Sequence, residues 1–474
     1  MTVREHGPGV REELTREPAS FRDPANQVFY VDGEVRRGLR GEAVDDWRAL
    51  AGTEFFARLT AAGQICPTEE LTDPAPDGYD LVLRHERVPF VSYPYEWTFS
   101  MLRDAALLHL DILLAALVER MITKDGSAYN LQWRGAAPVF IDVGSFERLR
   151  DGEPWAGYRQ FCQTMLYPLM LTAHLGVEFQ PLLRARVDGL ESGQVRRLLR
   201  GSKRWATGVF KHVHLHDAMQ ARYAGTSARE MRDELRAAGF STELVVATVR
   251  ALRKLVGRLQ WQPPRTHWGG YRATCTYTAA DRDAKVEFVD SVLAGVDDLG
   301  LVLDLGANDG AYSRLAARHA RYVVAVESDH AVADTFYRSL RDEGERRILP
   351  LVMDLADPSP GGGWRGAERA AFADRADADV VLALALVHHL AIGRNVPLPQ
   401  IIDWLAGLGK GLVVEFVAPE DPMAQRLLAN KPAGMFGDYR QDEFERALTE
   451  RFVIARQRRL PSGTRTLYYG VPRG

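Results

Sequence analysis

Cysteine is almost absent from this chain: three in 474 residues, Cys66, Cys162 and Cys275, scattered and without a C-x-x-C spacing. That excludes a disulfide framework and a thiolate zinc finger, and it fits a reducing compartment. A charge excess is lacking too. Sixty Lys and Arg stand against 63 Asp and Glu, for a net charge of −3, so no global field draws the chain to nucleic acid or to an anionic membrane. Long apolar runs are missing as well. The most apolar window, residues 102–122, is broken by Asp104, His109, Asp111, Glu119 and Arg120 and reads as a buried helix, too polar to span a bilayer. The first 18 residues are charged and have no apolar core of the kind a signal peptide needs. A cytoplasmic protein with neither membrane nor nucleic-acid partners is expected, its oligomeric state left open. What is present is ordinary: 46% hydrophobic and 26% charged residues, enough chain for two or three domains.

The pattern divides the chain into a loose N-terminus (1–25), an α+β domain that is mostly helical (26–260) and an α/β domain (266–474). In the first domain short strands are expected at 28–30, 34–39, 81–83 and 89–93, with a helix over 45–62. From residue 97 to 259 the periodicity is helical, interrupted by β segments at 131–134 and 139–141. The run Gln260-Trp261-Gln262-Pro263-Pro264 is the best linker.

In the second domain an apolar run, Val302-Leu303-Asp304-Leu305, ends in an acid and turns through Gly306, Asn308 and Gly310 before a helical pattern opens at Tyr312. Strand, tight turn and helix in that order mark where an α/β sheet meets a nucleotide-like ligand. The turn is no dinucleotide loop. Asn308 fills the position that must be bare for a pyrophosphate, and Asp304 would repel one. An acid there suits a cation, such as the amino group of a methionine moiety. A second buried strand, 322–327, ends in Glu327, 21 residues beyond Gly306, where a carboxylate can accept both hydroxyls of a ribose. A third runs 348–354 and ends in Asp354. A fourth, 379–386, leads into Val387-His388-His389-Leu390, and a fifth spans 411–417. Segments 452–459 and 465–470 would close the sheet as an antiparallel hairpin. Alternating strands and helices imply a doubly wound parallel sheet with ligands at its carboxyl edge.

The D-x-G-x-N-x-G form resembles motif I of class I S-adenosylmethionine (SAM) methyltransferases. The resemblance implies SAM as cofactor, held by Asp304, Gly306, Asn308, Gly310 and Glu327, with Asp354 taking the adenine amino group and Leu355 beside the ring. It places His388 and His389 opposite the methyl group. An alcohol acceptor must lose a proton, and a histidine of near-neutral pKa can take it. Glu415 on strand five would orient that histidine or bind the acceptor. Trp268, Tyr271 and Tyr277 could close over the site, or simply pack. No N-P-P-Y motif follows strand four, and no cysteine lies between Gly306 and Gly474. Exocyclic amino groups of nucleic acids and carbon 5 of pyrimidines are thereby set aside. A small-molecule oxygen or nitrogen remains.

A second constellation lies in the first domain: Asp125, Asn130 five positions on, then Phe140-Ile141-Asp142-Val143-Gly144. It resembles the catalytic loop and metal-binding Asp of protein-kinase-like phosphotransferases. Lys124 departs from the pattern, no glycine-rich loop is visible, and the usual lysine is missing, with Arg36 or Arg37 nearest. A kinase-like layout without ATP turnover is expected, against the alternative that the three are turn and cap residues. His212, His214 and His216 match no standard zinc spacing and read as residues of a helix, so no metal is expected. Arg196, Arg197, Arg200, Lys203 and Arg204 read as a solvated face that could also meet RNA or an acidic substrate.

Taken whole, the chain resembles bacterial two-domain methyltransferases of the nodulation-protein, NoeA type, through SYPYEWTFSMLRDAALLHLD (92–111), KDGSAYN (124–130), FIDVGSFE (140–147), YRQFC (158–162) and VHHLAIGRNVPLP (387–399). That implies methyl transfer from SAM in natural-product or carbohydrate tailoring. Two other readings stay open: a bifunctional enzyme with phosphotransfer in its N-terminal half, and an RNA-directed or non-catalytic SAM-binding protein.

Overall fold

The computed structural model describes residues 14–72, 78–218, 241–263, 278–432 and 434–473. Trp268, Tyr271, Tyr277, Cys275, Pro264 and the start of the N-terminus lie outside them. Among the described residues no helix is long and apolar enough to cross a membrane.

The C-terminal half is built on seven strands: β10 (Leu301–Leu305), β11 (Tyr322–Glu327), β12 (Ile348–Val352), β13 (Ala378–Ala383), β14 (Gly409–Val417), β15 (Phe452–Arg459) and β16 (Arg465–Pro472). Their order is β12-β11-β10-β13-β14-β16-β15. The first five are parallel, and β16 enters antiparallel between β14 and β15. This is the class I methyltransferase sheet, and the chain reverses direction across it between β10 and β13. Strands such as Tyr-Val-Val-Ala-Val-Glu are buried on both faces, as a parallel sheet covered by helices requires.

The N-terminal half opens on a five-stranded antiparallel sheet ordered β1-β2-β3-β5-β4, from β1 (Leu14–Arg16), β2 (Asn26–Val31), β3 (Glu34–Leu39), β4 (Thr68–Glu70) and β5 (Leu81–His85). The expected helix over 45–62 is two, Glu42–Ala51 and Glu54–Ala61, because the chain breaks at Gly52 and Thr53. Residues 89–93 form no strand; Pro89 and Pro94 suit them to bends. The buried helix is Phe99–Val118. Beyond it a hairpin of β7 (Leu131–Arg134) and β8 (Ala137–Phe140) sits inside a second pair, β6 (Met121–Thr123) with β9 (Phe146–Arg148). The pair β6 and β9 is too short to give a period-two signal.

The two halves share one hydrophobic core. The hairpin β7–β8 and the turn Pro94–Glu96 pack on β12, which would otherwise be an open parallel edge. Gly135, at φ +59°, brings its backbone so close to Arg346 that an added Cβ would stand 2.3 Å from the carbonyl carbon. Tyr322 Oη accepts from the Gly135 amide at 2.9 Å, and the Tyr337 ring meets Trp133 edge-on at 5.5 Å. Arg375 and Glu96 form a buried ion pair at 2.5 Å. These contacts set the N-terminal half against the β12 side of the sheet.

Candidate active site

The loop after β10 is organised from within. Gly306 (φ +80°), Asn308 (+49°) and Gly310 (+79°) all take left-handed backbone, which glycine adopts freely and asparagine more readily than most residues. The reasons differ. A Cβ at Gly306 would meet nothing nearer than Leu386 Cδ1 at 3.8 Å, so that backbone faces open space. A Cβ at Gly310 would lie 1.9 Å from the Phe336 ring. Gly310 is therefore required to be glycine by its packing against Phe336 of the helix His330–Glu343.

Asp304 is buried and accepts a 2.6 Å hydrogen bond from the Ser313 hydroxyl. Burial pushes its carboxyl up to about 6, against the pull of Ser313 and Lys285. Glu327, at the end of β11, accepts from the amides of Asn308 (2.8 Å) and Asp329 (2.8 Å) and from the Ser328 hydroxyl (3.2 Å). One carboxylate thus ties the β10 loop to the β11 turn. Burial raises its pKa too. Asp354 lies just past β12, accepts from the Ala356 amide at 3.0 Å and is ion-paired to Arg394. Leu355 beside it is buried. The cluster fits SAM: an open glycine cradle, two carboxylates held by neutral donors and an apolar wall at Leu355.

At the end of β13 the chain turns through Ala385, a non-glycine at φ +52°, a costly conformation that concentrates at functional sites. His388 follows, then a π-helical turn, His389–Gly393, a distortion frequent where helices carry function. The two imidazoles lie 4.1 Å apart. His388 is 1% exposed, and burial first, then His389, Arg465 and Lys285, hold its pKa well below the usual value. Burial and Arg465 lower His389 to about 4. The near-neutral titration expected from the sequence is corrected: both rings are neutral at pH 7.

Glu415 is fully buried on β14. Its carboxylate receives Lys285 Nζ at 2.7 Å and faces Arg465 at 3.5 Å, while Arg465 also pairs with Asp421 at 2.8 Å. Glu415 thereby anchors two buried cations. Lys285, Arg465 and Asp421 went unrecognised in the sequence. They come from the helix Ala279–Leu293, β16 and the loop after β14, and no local spacing links them.

In the N-terminal half Asp125, Asn130 and Asp142 come together. The Asp125 pKa is raised by burial and then by the charge of Asp142, and the Ile141 amide donates to the Asn130 carbonyl at 2.9 Å. From β3, Arg37 pairs with Asp142 at 2.9 Å, whereas Arg36 turns to Glu34. Asn130 Nδ2 and Asn26 Oδ1 are buried without a hydrogen-bond partner among the described residues. The histidines 212–216 face inward. His212 and His216 meet the hydroxyls of Tyr158 and Tyr167 at 2.8 Å each, and His214 meets the Leu199 carbonyl at 3.0 Å. Residues 210–215 form a π-helical segment instead of the regular helix expected.

No family model matches the chain. It is 32% identical over 463 residues to the nodulation protein NoeA of Rhizobium meliloti (strain 1021), across 96% of this chain and 95% of that protein. Similar solved structures include the N-methyltransferase NodS from Bradyrhizobium japonicum WM9, at 11% identity and TM-score 0.31, covering 41% of this chain and 98% of that one. Another is the magnesium protoporphyrin IX methyltransferase ChlM from Synechocystis PCC 6803 with bound SAH, at 18% and 0.31, covering 44% and 94%. With nearly the full length of both sequences aligned, this chain belongs to the family of the nodulation protein NoeA.

Proposed function

We propose that the C-terminal half transfers a methyl group from SAM to an oxygen or nitrogen of a small molecule, in tailoring of a natural product or carbohydrate in the cytoplasm. The observation that carries this reading is Glu327 bridging the Asn308 amide to the β11 turn, beside an open Gly306 and within a class I sheet. Bound SAM supplies an electrophilic methyl group on a sulfonium. The chain's own part is mainly positioning. Asp304 and Glu327 would hold the methionine amine and the ribose, Leu355 the adenine face and Asp354 its amino group. His389, partly exposed at the end of β13 and neutral at pH 7, is the base we assign to a hydroxyl acceptor, with His388 packed behind it. Calorimetric titration of SAM, followed by a methyl-transfer screen on small-molecule extracts, tests this. Saturable SAM binding with label transferred to an extractable acceptor is expected. Binding without any transfer would leave a SAM-binding protein that is not an enzyme.

A second reading concerns the N-terminal cleft. The β7–β8 hairpin inside the β6–β9 pair, with Asp125, Asn130 and Asp142 at one place, supports kinase-like ancestry. The Arg37–Asp142 ion pair supports loss of turnover, since it occupies the carboxylate that would take magnesium. ATP hydrolysis by the full chain that disappears in Asp142→Ala would overturn that loss and favour a bifunctional enzyme.

A further inference from the structure

Between Glu191 and Asp217 the chain carries six cations, Arg196, Arg197, Arg200, Lys203, Arg204 and Lys211, and no acid. The segment folds as three short elements packed on one another: Ser192–Leu198, Gly201–Trp205 and the π-helical turn Phe210–Leu215. Val195, Leu199, Val209 and Val213 anchor it, each at most 1% exposed. Gly208, at φ +80° and tight against Leu255 and Met170, reverses the chain so that Trp205 stacks on Phe210, with centroids 5.3 Å apart and planes at 19°. The Arg204 guanidinium lies 5.3 Å from one ring and 5.1 Å from the other. Trp205 is nevertheless 71% exposed, Phe210 stacked on it is exposed too, and so are Leu198 and Leu215 on the elements packed together here. A large aromatic and two leucines on the surface of a firmly anchored segment are not a fraying end.

We propose that this face docks on the anionic surface of a phospholipid bilayer. Two aromatic rings and two aliphatic side chains provide the apolar part that enters the headgroup boundary, and the cations around them meet phosphate. Charge complementarity alone would also admit RNA. The exposed leucines decide for lipid, because a nucleic acid gives aliphatic side chains nothing to enter, whereas aromatics and arginine serve both. The chain's net charge of −3 does not oppose this, since a surface field decays within about 10 Å at ordinary salt.

Co-sedimentation of the full chain with vesicles tests the proposal. Binding is expected to phosphatidylcholine vesicles containing about a third phosphatidylglycerol and not to phosphatidylcholine alone. The Lys203→Glu, Arg204→Glu pair should weaken it by roughly tenfold or more, at about fivefold per cation. Leu198→Ser with Leu215→Ser should weaken it severalfold, with SAM affinity unchanged as evidence of folding. Equal binding to both vesicle types, or none to either, overturns the proposal. So does single-stranded RNA that binds more tightly than the vesicles at equal salt and is indifferent to the leucine changes.

Discussion

Two sets of carboxylates sit at strand ends in this molecule, one in each half, and they differ in what neutralises them. In the C-terminal half Asp304 and Glu327 are held by neutral donors, the Ser313 hydroxyl and the amides of Asn308 and Asp329. Their charge remains to be matched by something else, and burial raises both pKa values. In the N-terminal half Asp142 already has Arg37 at 2.9 Å. Asp354 stands between the two cases, exposed enough to interact with a ligand but paired to Arg394. Position at a strand end therefore does not make an acid a ligand site. A carboxylate desolvated without its counter-charge is the better mark, because the fold bears a cost that binding relieves.

The largest effect expected on activity lies at His388 and His389. Replacing both by alanine should lower turnover by about 10²–10⁴ with SAM affinity nearly intact, as loss of a general base does. Because His389 titrates near 4, the rate should rise with pH only through that acidic range and be flat around neutrality. A step near pH 7 would mean that another group, or the acceptor, is titrating. A mild double variant with a flat profile would point to an acceptor already ionised, such as a carboxylate.

Next comes the buried pair Lys285–Glu415. Lys285→Met leaves Glu415 buried with less compensation and should cost about 3–5 kcal/mol in denaturant unfolding. Adding Glu415→Leu should recover much of it. By contrast Arg394→Ala, at an exposed pair, should cost at most about 1 kcal/mol. Comparable losses at the two pairs would contradict the burial argument.

Legibility followed the same division. Five strands of the parallel sheet and the closing hairpin were readable because burial on both faces writes continuous apolar runs, and Asp304, Glu327 and Asp354 end three of them. The N-terminal half was read in part. The β7–β8 hairpin was read, but β6 and β9 are three residues long, and β1 and β4 are short and exposed. Neither period nor hydrophobicity marks such strands. Lys285, Arg465 and Asp421 were invisible because the buried chain through Glu415 joins residues 44 to 130 positions apart. The raised Asp304 and depressed histidine pKa values were unreadable for a related cause: burial is a property of the fold, and the near-neutral histidine expected from residue type alone was wrong for that reason.

A smaller effect should appear in pH dependence. The Asp304 pKa is raised by folding, to about 6, so its stabilising contribution is full below the usual carboxylate range and is lost as pH rises through 6. Asp304→Asn should remove that loss and leave the ligand-free protein more stable above pH 6. A bound amine favours the ionised form, so SAM affinity should rise with pH up to about 6 and then level off. In Asp304→Asn it should be weaker and free of that step. Affinity independent of pH in the unaltered protein would place the amine elsewhere.

The central claim is that the C-terminal strand ends, and not the N-terminal cleft, hold SAM. Calorimetric titration of SAM into the unaltered chain, Glu327→Ala and Asp142→Ala tests it most directly. One site per chain is expected, weakened about tenfold or more in Glu327→Ala by loss of a charge-assisted hydrogen bond worth ~1.5–3 kcal/mol, and unchanged in Asp142→Ala. Full affinity in Glu327→Ala, or its loss in Asp142→Ala, would contradict the account.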